Sequence, residues 1–213
     1  MGFACVVPLL SSLFGACITA NTPADLAVTS VQAVDWRDQD EMPGPGASPA
    51  LGLVRDRDLA LARQQVTGGE RPHLPLLKIE FTTATNLSKF VIENSYNLGN
   101  SAFFCDRPNQ YVVLSFPDIY WRGNRLGEHE TDLVQNYGGA IGAPVTYYIF
   151  INVARAARPQ DKPPQEAFDL RKKPEDVCFY VRGGNGSGRG YRSNTVIISK
   201  GLIATALQKA PLD

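Results

Sequence analysis

The chain holds two histidines, and one of them lies in a cluster of metal-ligand type, Glu128-His129-Glu130 followed by Asp132. If this cluster formed a strand, the two glutamates would point away from His129, which suits a metal site that uses all three poorly. We therefore interpret the segment as a polar surface loop and predict no metal or other cofactor. A catalytic triad built on His129 stays open as an alternative.

Residues 183–190 (GGNGSGRG) invite comparison with a phosphate-binding loop. The segment lacks the Gly-Lys-Ser/Thr ending of such loops and no predicted helix follows it, so the geometry that cradles an anion is missing. A flexible hairpin loop, in which glycines permit positive φ, is the favoured interpretation. No Gly-x-Ser-x-Gly elbow marks a serine nucleophile either. We therefore predict that the protein is not an enzyme.

Tyrosine, tryptophan and arginine side chains offer binding chemistry instead, because these residue types anchor protein interfaces. The predicted partner-binding residues are Tyr120, Trp121, Arg122, Arg182, Arg189, Tyr191 and Arg192. Strands alternate their faces, so only some of the aromatic rings can be exposed. Residues 155–192 carry nine bases against five acids, which predicts either an ordinary solvated rim or a docking surface for an acidic partner.

The C-terminal two thirds of the chain must position these side chains, and there short β-rich runs alternate with turn residues. Strands are predicted at 76–82, 90–92, 101–105, 111–116, 119–121, 145–153, 176–182 and 194–199. The tail KGLIATALQK predicts one short helix with Leu202, Ile203, Ala206 and Leu207 on one face. About seven strands suit a two-layer antiparallel sandwich.

Residues 179–198 resemble the last hairpin of fibronectin type III and related immunoglobulin-like domains. In that family a strand reading Tyr-x-Val-Arg leads into a loop rich in glycine and asparagine, and Ser-Asn-Thr-Val then opens the final strand. Here 179–182 (FYVR), 183–192 and 193–198 (SNTVII) follow this layout. The resemblance implies a core tryptophan, for which Trp121 is the candidate although it falls late in the chain. The predicted fold class is therefore mainly β: an antiparallel two-layer immunoglobulin-like sandwich of about seven strands with a short C-terminal helix.

The N-terminal segment 3–16 (FACVVPLLSSLFGA) contains no charge. It is too short for a transmembrane helix and has the length of the apolar core of a secretory signal. The run ends on the small residues Gly15 and Ala16, followed by Cys17. This ending resembles the lipobox of bacterial lipoproteins, an aliphatic residue and two small residues before the modified cysteine. Phe14 stands in the aliphatic place, and no Lys or Arg precedes it.

The lipobox resemblance implies that residues 1–16 are a signal peptide and that Cys17 carries the lipid, palmitate included. Ile18 follows the cysteine, where the family's inner-membrane retention signal is Asp, which implies a periplasm-facing anchor in the outer membrane. A plain signal peptide with an incidental Cys17 stays open, as does a structural apolar segment. No stretch after residue 17 approaches the length needed to span a bilayer.

Residues 17–73 are predicted to form a flexible tether between the lipid and a folded domain at 74–213. The stretch 35–49 (DWRDQDEMPGPGASP) is rich in charge, proline and glycine and has no apolar period. Such a composition buries too little surface to offset the entropy of ordering the chain. In the alternative interpretation, residues 26–34 (LAVTSVQAV) add a first strand to the domain.

Cys105 and Cys178 are the two cysteines that remain after removal of the signal peptide and modification of Cys17. An oxidising compartment favours a disulfide between them. The alternative is a pair of buried free thiols that pack as small hydrophobes. The predicted strand positions put the two at opposite ends, which conflicts with the inter-sheet bridge typical of the family.

The formal net charge of zero gives no support to nucleic-acid binding, which requires a basic face. We expect a monomeric protein-binding module that is anchored in the cell envelope. Small tethered domains of this kind resemble the periplasmic immunity lipoproteins that neutralise secreted toxins, which implies a protein partner in the periplasm or envelope. Three alternatives remain: glycan or peptidoglycan binding through exposed Tyr and Trp, an accessory role in envelope assembly, and hydrolysis.

Overall fold

The computed structural model describes residues 22–39, 73–94, 96–108, 114–126, 144–157, 159–160, 166–185 and 190–209. Its elements, in chain order, are β1 (Ala27–Asp35), a 3-10 helix (Trp36–Asp38), β2 (Pro75–Thr83), α1 (Leu87–Asn94), β3 (Gly99–Phe104), β4 (Tyr120–Trp121), β5 (Asn124–Arg125), β6 (Val145–Asn152), β7 (Ala154–Arg155), β8 (Phe168–Asp169), β9 (Val177–Gly184), β10 (Gly190–Arg192), β11 (Val196–Ile198) and α2 (Lys200–Lys209). Several predictions fall outside the described residues: the signal peptide and Cys17, the strand at 111–113, the cluster at 128–132, and Arg189.

The larger sheet has the strand order β1-β2-β6-β4-β5, and all its pairs are antiparallel. Its centre is the pairing of β2 with β6, which runs from Leu76 opposite Asn152 to Thr83 opposite Val145. Residues 147–151 of β6 are all buried, because both faces of this strand are covered.

The smaller sheet is built around β9, with β3 on one side and β10 and β11 on the other. Three residues, 193–195, separate β10 from β11. On β9, only two residues separate Arg182, which pairs with the end of β10, from Phe179, which pairs with the start of β11. This extra residue is a β-bulge, so β10 and β11 are two parts of one interrupted strand. Ser193 closes the interruption, since its Oγ accepts a hydrogen bond from the Val181 N–H at 2.9 Å and its own N–H donates to the Val181 carbonyl at 2.8 Å.

The two sheets are consistent with a β-sandwich. β1, β2, β6, β4 and β5 form the larger sheet, and β3, β9 and the β10–β11 strand form the smaller one. The predicted fold class is confirmed: the protein is mainly β with antiparallel sheets, and its chain of described elements ends in a short helix.

The main core fills the space between the two sheets. Inward-facing residues of β2 and β6 meet those of β3 and β9, and the Phe81 and Phe179 rings contact each other edge-on at 5.4 Å. Each fully buried apolar side chain of this size contributes roughly 2 kcal/mol. Ile203 and Ala206 of α2 close one side of this core. Leu202, predicted on the same helix face, is 49% exposed, so that part of the prediction is wrong.

A second apolar cluster covers the other face of the larger sheet. Its buried members are Trp36, Leu76, Tyr120, Tyr148 and Phe150. The Tyr120 and Tyr148 rings are stacked at 5.4 Å, and Phe150 contacts Tyr120 edge-on at 5.3 Å. The backbone N–H of Trp36 donates to the Leu74 carbonyl at 3.0 Å, which fixes the 3-10 helix over this cluster.

The first strand lies inside the segment predicted as a tether. β1 pairs along its length with β2, from Ala27 opposite Thr82 to Asp35 opposite Pro75. The alternative that residues 26–34 add a strand is therefore confirmed, and the folded domain includes residues well before 74. The tether prediction failed here because the charged and proline-rich stretch that follows masked a short alternating segment.

Residues 90–92, predicted as a strand, belong to α1. Leu87, Phe90 and Val91 are buried at helical spacing, and the Asn86 side chain accepts the Lys89 N–H at 2.9 Å as an N-cap. The helical period of these apolar residues outweighed the β propensity of Val91 and Ile92.

The disulfide between Cys105 and Cys178 is present, with the two Cα atoms 5.1 Å apart. It joins β9 to the residue after β3 within one sheet, because antiparallel pairing places Phe104 opposite Val177. The prediction that the two cysteines lie at opposite ends is therefore wrong. In the chain-entropy model, a loop of 73 residues gives a stabilisation of about 4 kcal/mol.

Candidate protein-interaction face

The outer face of the smaller sheet carries a mixed set of arginine, aromatic and aliphatic side chains. We call it the arginine face, and its members are Arg182, Arg192, Tyr180, Thr195, Ser101, Ile197 and Phe103. They face outward because Val177, Phe179 and Val181, which alternate with them on β9, are fully buried in the core. The three-stranded sheet thus presents one side to the core and the other to solvent.

Cross-strand pairing arranges this face from charged to apolar. At one end Arg192 lies opposite Arg182. In the middle Tyr180 lies opposite Ser101. At the other end Ile197 and Phe103 flank Cys178 of the disulfide, and Ile197 is 61% exposed. Ile197 and the half-buried Phe103 thus form an apolar end, opposite the end that carries the two arginines.

The Arg192 guanidinium lies over the Tyr180 ring, 3.9 Å from its centroid. Its Nη2 also donates to the Thr195 hydroxyl at 3.3 Å. Tyr180 in turn packs against Phe103, with their ring centroids 6.0 Å apart. The planar guanidinium is therefore held on an aromatic support, an arrangement that lysine cannot reproduce.

Arg182 and Arg192 have no carboxylate partner within the part of the chain that the structure describes. Two like charges directly opposite each other on neighbouring strands are destabilising, by roughly 0.2 to 1 kcal/mol. The sheet tolerates this repulsion because both side chains reach solvent. A negatively charged ligand would relieve it.

The glycine-rich hairpin begins at the charged end of this face, and its base is closely packed. The Asn97 side chain accepts the Gly184 N–H at 2.7 Å, and the Asn97 N–H donates to the Gly184 carbonyl at 2.8 Å. A Cβ on Gly183 would lie 1.9 Å from the Asn97 carbonyl oxygen, so only glycine fits there. The hairpin is confirmed, with Gly190 opposite Gly184.

Tyr191 supports the same hairpin base from the core side. Its ring packs against Phe90 at 4.8 Å and Tyr96 at 5.1 Å, and its hydroxyl donates to the Asn97 carbonyl at 3.2 Å. Burial, together with the neighbouring Tyr96, raises the pKa of Tyr191 well above its ordinary value. Tyr191 is therefore a neutral structural group rather than a surface contact.

The bulge also ties the smaller sheet to the start of β1. The Asn194 side chain accepts the Leu26 N–H at 3.0 Å and donates to the Leu26 carbonyl at 3.1 Å. A side-chain amide thus replaces a backbone peptide in strand pairing. This link holds the edge beside Thr195 in place and follows from no pattern that we recognised in the sequence.

Three of the predicted partner-binding residues are buried. Tyr120 is fully buried, and Trp121 and Tyr191 are 8% and 9% exposed, so their assignment to a binding surface is wrong. Their rings face the two cores because the alternation of β4 and β10 directs them inward. Arg122, Arg182 and Arg192 are exposed, as predicted.

Arg122 lies apart from the arginine face, at the tip of the β4–β5 hairpin. Arg122 and Gly123 have positive φ values of 47° and 80°, which are typical of a two-residue type I′ turn. The Arg122 guanidinium lies 4.7 Å from the centroid of the Trp121 ring. A left-handed conformation costs an arginine about 1 kcal/mol, and the turn compensates through the Gly123 N–H, which donates to the Tyr148 hydroxyl at 3.0 Å.

A second basic region surrounds β7 and β8 and lines a cavity of about 640 Å³. We call it the carboxylate-paired cluster, and its members are Arg107, Asp169, Arg171, Lys172, Lys173 and Glu175. Arg107 pairs with Glu175 at 2.6 Å, and Arg171 binds both oxygens of Asp169 at 3.0 and 3.1 Å. Hydrogen bonds from Arg171 outweigh burial and lower the pKa of Asp169. Each of the four bases in this cluster therefore has a carboxylate within 4 Å, and the two carboxylates are shared among them.

A third polar group joins the end of β1 to the chain that enters β2. The buried Asp35 carboxylate accepts hydrogen bonds from the Arg37 backbone at 2.9 Å and from the Arg37 guanidinium at 2.8 Å, and it contacts His73 Nδ1. Burial acts to raise the pKa of Asp35, but these hydrogen bonds and the charge of His73 hold it well below its ordinary value. The sequence pattern gave no sign of this contact, which spans 38 positions.

Within the described ranges, no group of three or more His, Cys, Asp or Glu side chains could hold a metal ion. The helices of these ranges include none that is long and apolar enough to cross a membrane. Searches against models of protein families, curated proteins and solved structures find no match to this chain. The arginine face, with Arg182 opposite Arg192, is therefore the feature on which we base a functional proposal.

Proposed function

We propose that this protein is a protein-binding module of the bacterial cell envelope and that the arginine face is its binding surface. It acts without chemistry of its own, by occupying a surface of a partner protein. The partner that we favour is a secreted toxin, as for the immunity lipoproteins. The unpaired arginines opposite each other, Arg182 and Arg192, carry this proposal.

Composition supports a protein ligand. Arginine and aromatic residues are enriched where binding energy concentrates in protein interfaces, and here Arg192 and Tyr180 are already stacked on each other. The guanidinium is ordered before binding, which reduces the entropy lost on association. Exposed Ile197 adds an apolar contact at the other end of the face.

The alternative of glycan binding has less support. Both tryptophans of the chain, Trp36 and Trp121, are buried. A flat sugar-stacking surface would need such rings exposed to solvent. The exposed side chains of the arginine face are Arg182, Arg192, Thr195 and Ile197, and its two cations suit a charged protein surface better.

The disulfide supports an exported location, because disulfides persist in oxidising compartments such as the periplasm. We propose that Cys17 carries the lipid and that the outer membrane is the anchoring site. Intact mass of the membrane-extracted protein should show an acylated N-terminus at Cys17, and Cys17→Ser should release a soluble form. An unmodified Met1 at the N-terminus would contradict the lipoprotein proposal.

Affinity capture from an envelope extract of the source organism tests the binding proposal. The full chain is compared with Arg182→Glu/Arg192→Glu and with Arg171→Glu/Lys172→Glu, a double charge reversal of the same size in the carboxylate-paired cluster. We expect the native chain and Arg171→Glu/Lys172→Glu to retain the same protein and Arg182→Glu/Arg192→Glu to lose it. If Arg182→Glu/Arg192→Glu captures the same protein as the native chain, or if the native chain captures none, the proposed function is contradicted.

A further inference from the structure

We propose that the arginine face takes an acidic protein segment, with two carboxylates over Arg182 and Arg192 and an apolar side chain against Ile197. This inference rests on the proposed function and specifies the chemistry of the partner. It follows from the order of side chains across the face, which runs from cationic to apolar. A ligand that satisfies both ends must combine negative charge with an apolar residue.

The charged end is built to receive carboxylates. The face of the Arg192 guanidinium is covered by Tyr180, and Thr195 accepts from one of its nitrogens, so its remaining N–H groups are the ones that can donate to a ligand. Guanidinium and carboxylate groups form two parallel hydrogen bonds in this edge-to-edge arrangement. Arg182 on the neighbouring strand offers a second such group.

Electrostatics favours binding over the free state. Arg182 and Arg192 repel each other across the strand pair, and no carboxylate of the described ranges neutralises them. An acidic ligand removes this repulsion in addition to forming its own hydrogen bonds. The affinity should therefore fall with rising salt concentration, because the pair is exposed and screened by ions.

The apolar end discriminates between a protein segment and a simple anion. Ile197 is 61% exposed, and Phe103 is half-buried on the other side of Cys178. Covering these side chains gains roughly 25 cal/mol for each Å² of apolar surface. Inorganic anions and sugar phosphates would leave this end exposed, whereas a peptide with an apolar residue would cover it.

The test uses the full chain and two synthetic peptides, one with paired glutamates beside leucine and one with glutamines in their place. NMR spectra follow the arginine Nε–H groups and the isoleucine methyl groups. We expect the glutamate peptide to shift Arg182, Arg192 and Ile197 together while Arg171 stays unchanged. Arg182→Ala should weaken its binding about tenfold, as should Arg192→Ala. The glutamine peptide should leave all of these signals unchanged.

Vesicles of phosphatidylglycerol separate a membrane role from a protein role. Shifts of Arg182 and Arg192 with the vesicles and none with the glutamate peptide would overturn the inference in favour of a lipid surface. Equal shifts at Arg171 would also overturn it, since binding would then follow charge alone. If the peptide fails while capture from the extract still requires the arginine face, the acidic segment is wrong and the proposed function stands. If the peptide does not bind and capture does not require the arginine face, both the inference and the proposed function are wrong.

Discussion

Two basic regions of this protein lie close in sequence and differ in their partners. In the carboxylate-paired cluster, arginines and lysines meet Asp169 and Glu175 within 4 Å. On the arginine face, Arg182 and Arg192 face each other instead. The excess of bases in residues 155–192 is therefore divided between two regions with different surroundings. One region pairs its bases with carboxylates of the fold, whereas for the other we propose a ligand.

The presence or absence of carboxylate partners separates the two interpretations of the basic excess, a solvated rim and a docking surface. A solvated or structural rim describes the carboxylate-paired cluster, where surface pairs contribute little to stability. A docking surface is what we propose for the arginine face. Four changes test this distinction.

Removal of the disulfide should have the largest effect. Cys105 and Cys178 lie between the two regions, with Arg107 of the paired cluster two positions after Cys105. The double variant Cys105→Ala/Cys178→Ala should lower the free energy of unfolding by about 2 to 4 kcal/mol, as urea denaturation would measure. We expect the small sheet to lose order at β3 first. A loss below about 0.5 kcal/mol would mean that strand pairing alone holds β3.

Gly183→Ala should cost about 3 kcal/mol, because its Cβ would overlap the Asn97 carbonyl oxygen and the Tyr191 ring. It should also weaken binding by the arginine face, since β9 would shift beside Arg182. Gly201→Ala in α2 is the matched control, as its Cβ meets only Ser199 Oγ at 3.9 Å. That control should be neutral or slightly stabilising. Thermal denaturation of both variants compares them, and equal melting temperatures would refute the close packing.

Acid should weaken the stabilisation that Asp35 and Asp169 give to the fold, and it should not act through the arginine face. The pKa values of Asp35 and Asp169 are lowered in the folded protein, so each stabilises the fold above its unfolded pKa, near 4. That stabilisation is lost as the pH falls through the folded pKa. The free energy of unfolding should therefore decline below about pH 5.

Asp169→Asn should remove part of this acid sensitivity, about 1 kcal/mol, whereas Arg182→Ala/Arg192→Ala should leave the pH profile parallel to that of the native chain. Urea denaturation at a series of pH values gives both profiles. An acid response that is identical in the native chain and in Asp169→Asn would show that this pair contributes nothing.

Arg182 and Arg192 of the arginine face should have the smallest effect on stability. Arg182→Ala relieves repulsion with Arg192, so the change in the free energy of unfolding should lie within about 0.5 kcal/mol and favour the variant. Arg171→Ala should instead destabilise the protein by up to about 1 kcal/mol through the loss of its pair with Asp169. Chemical denaturation of both variants at low salt tests the comparison. If Arg182→Ala is the more destabilising of the two, Arg182 has a structural role.

Much of the fold could be predicted from local pattern. The strands around residues 76–82, 145–153 and 176–182 and the C-terminal helix follow from alternation and period, which act over a few residues. The hairpin from β9 to β10 follows from its glycines. The cysteine pair could be proposed from composition, but its position within one sheet needed the pairing of β3 with β9.

The candidate site was predicted in part. Arg182 and Arg192 were named, but Tyr180, Thr195 and Ile197 were missed, because their role depends on which strand lies beside them. Tyr120, Trp121 and Tyr191 were assigned to a surface since amphipathic aromatics serve both interfaces and cores. The side that a ring faces depends on strand register, and a shift of one residue reverses it.

Three features follow from local sequence alone: the β-rich character of the chain, the turn at the glycine-rich hairpin and the excess of bases near its end. These depend on residue type and short-range spacing, which any window of the chain contains. Which bases meet carboxylates and which meet each other depends on how the strands pair in the folded chain. Arg171 and Asp169 are neighbours in the chain, whereas Arg182 and Arg192 become neighbours through antiparallel pairing. Charge is a property of residues, but its neutralisation is a property of the distances that folding sets.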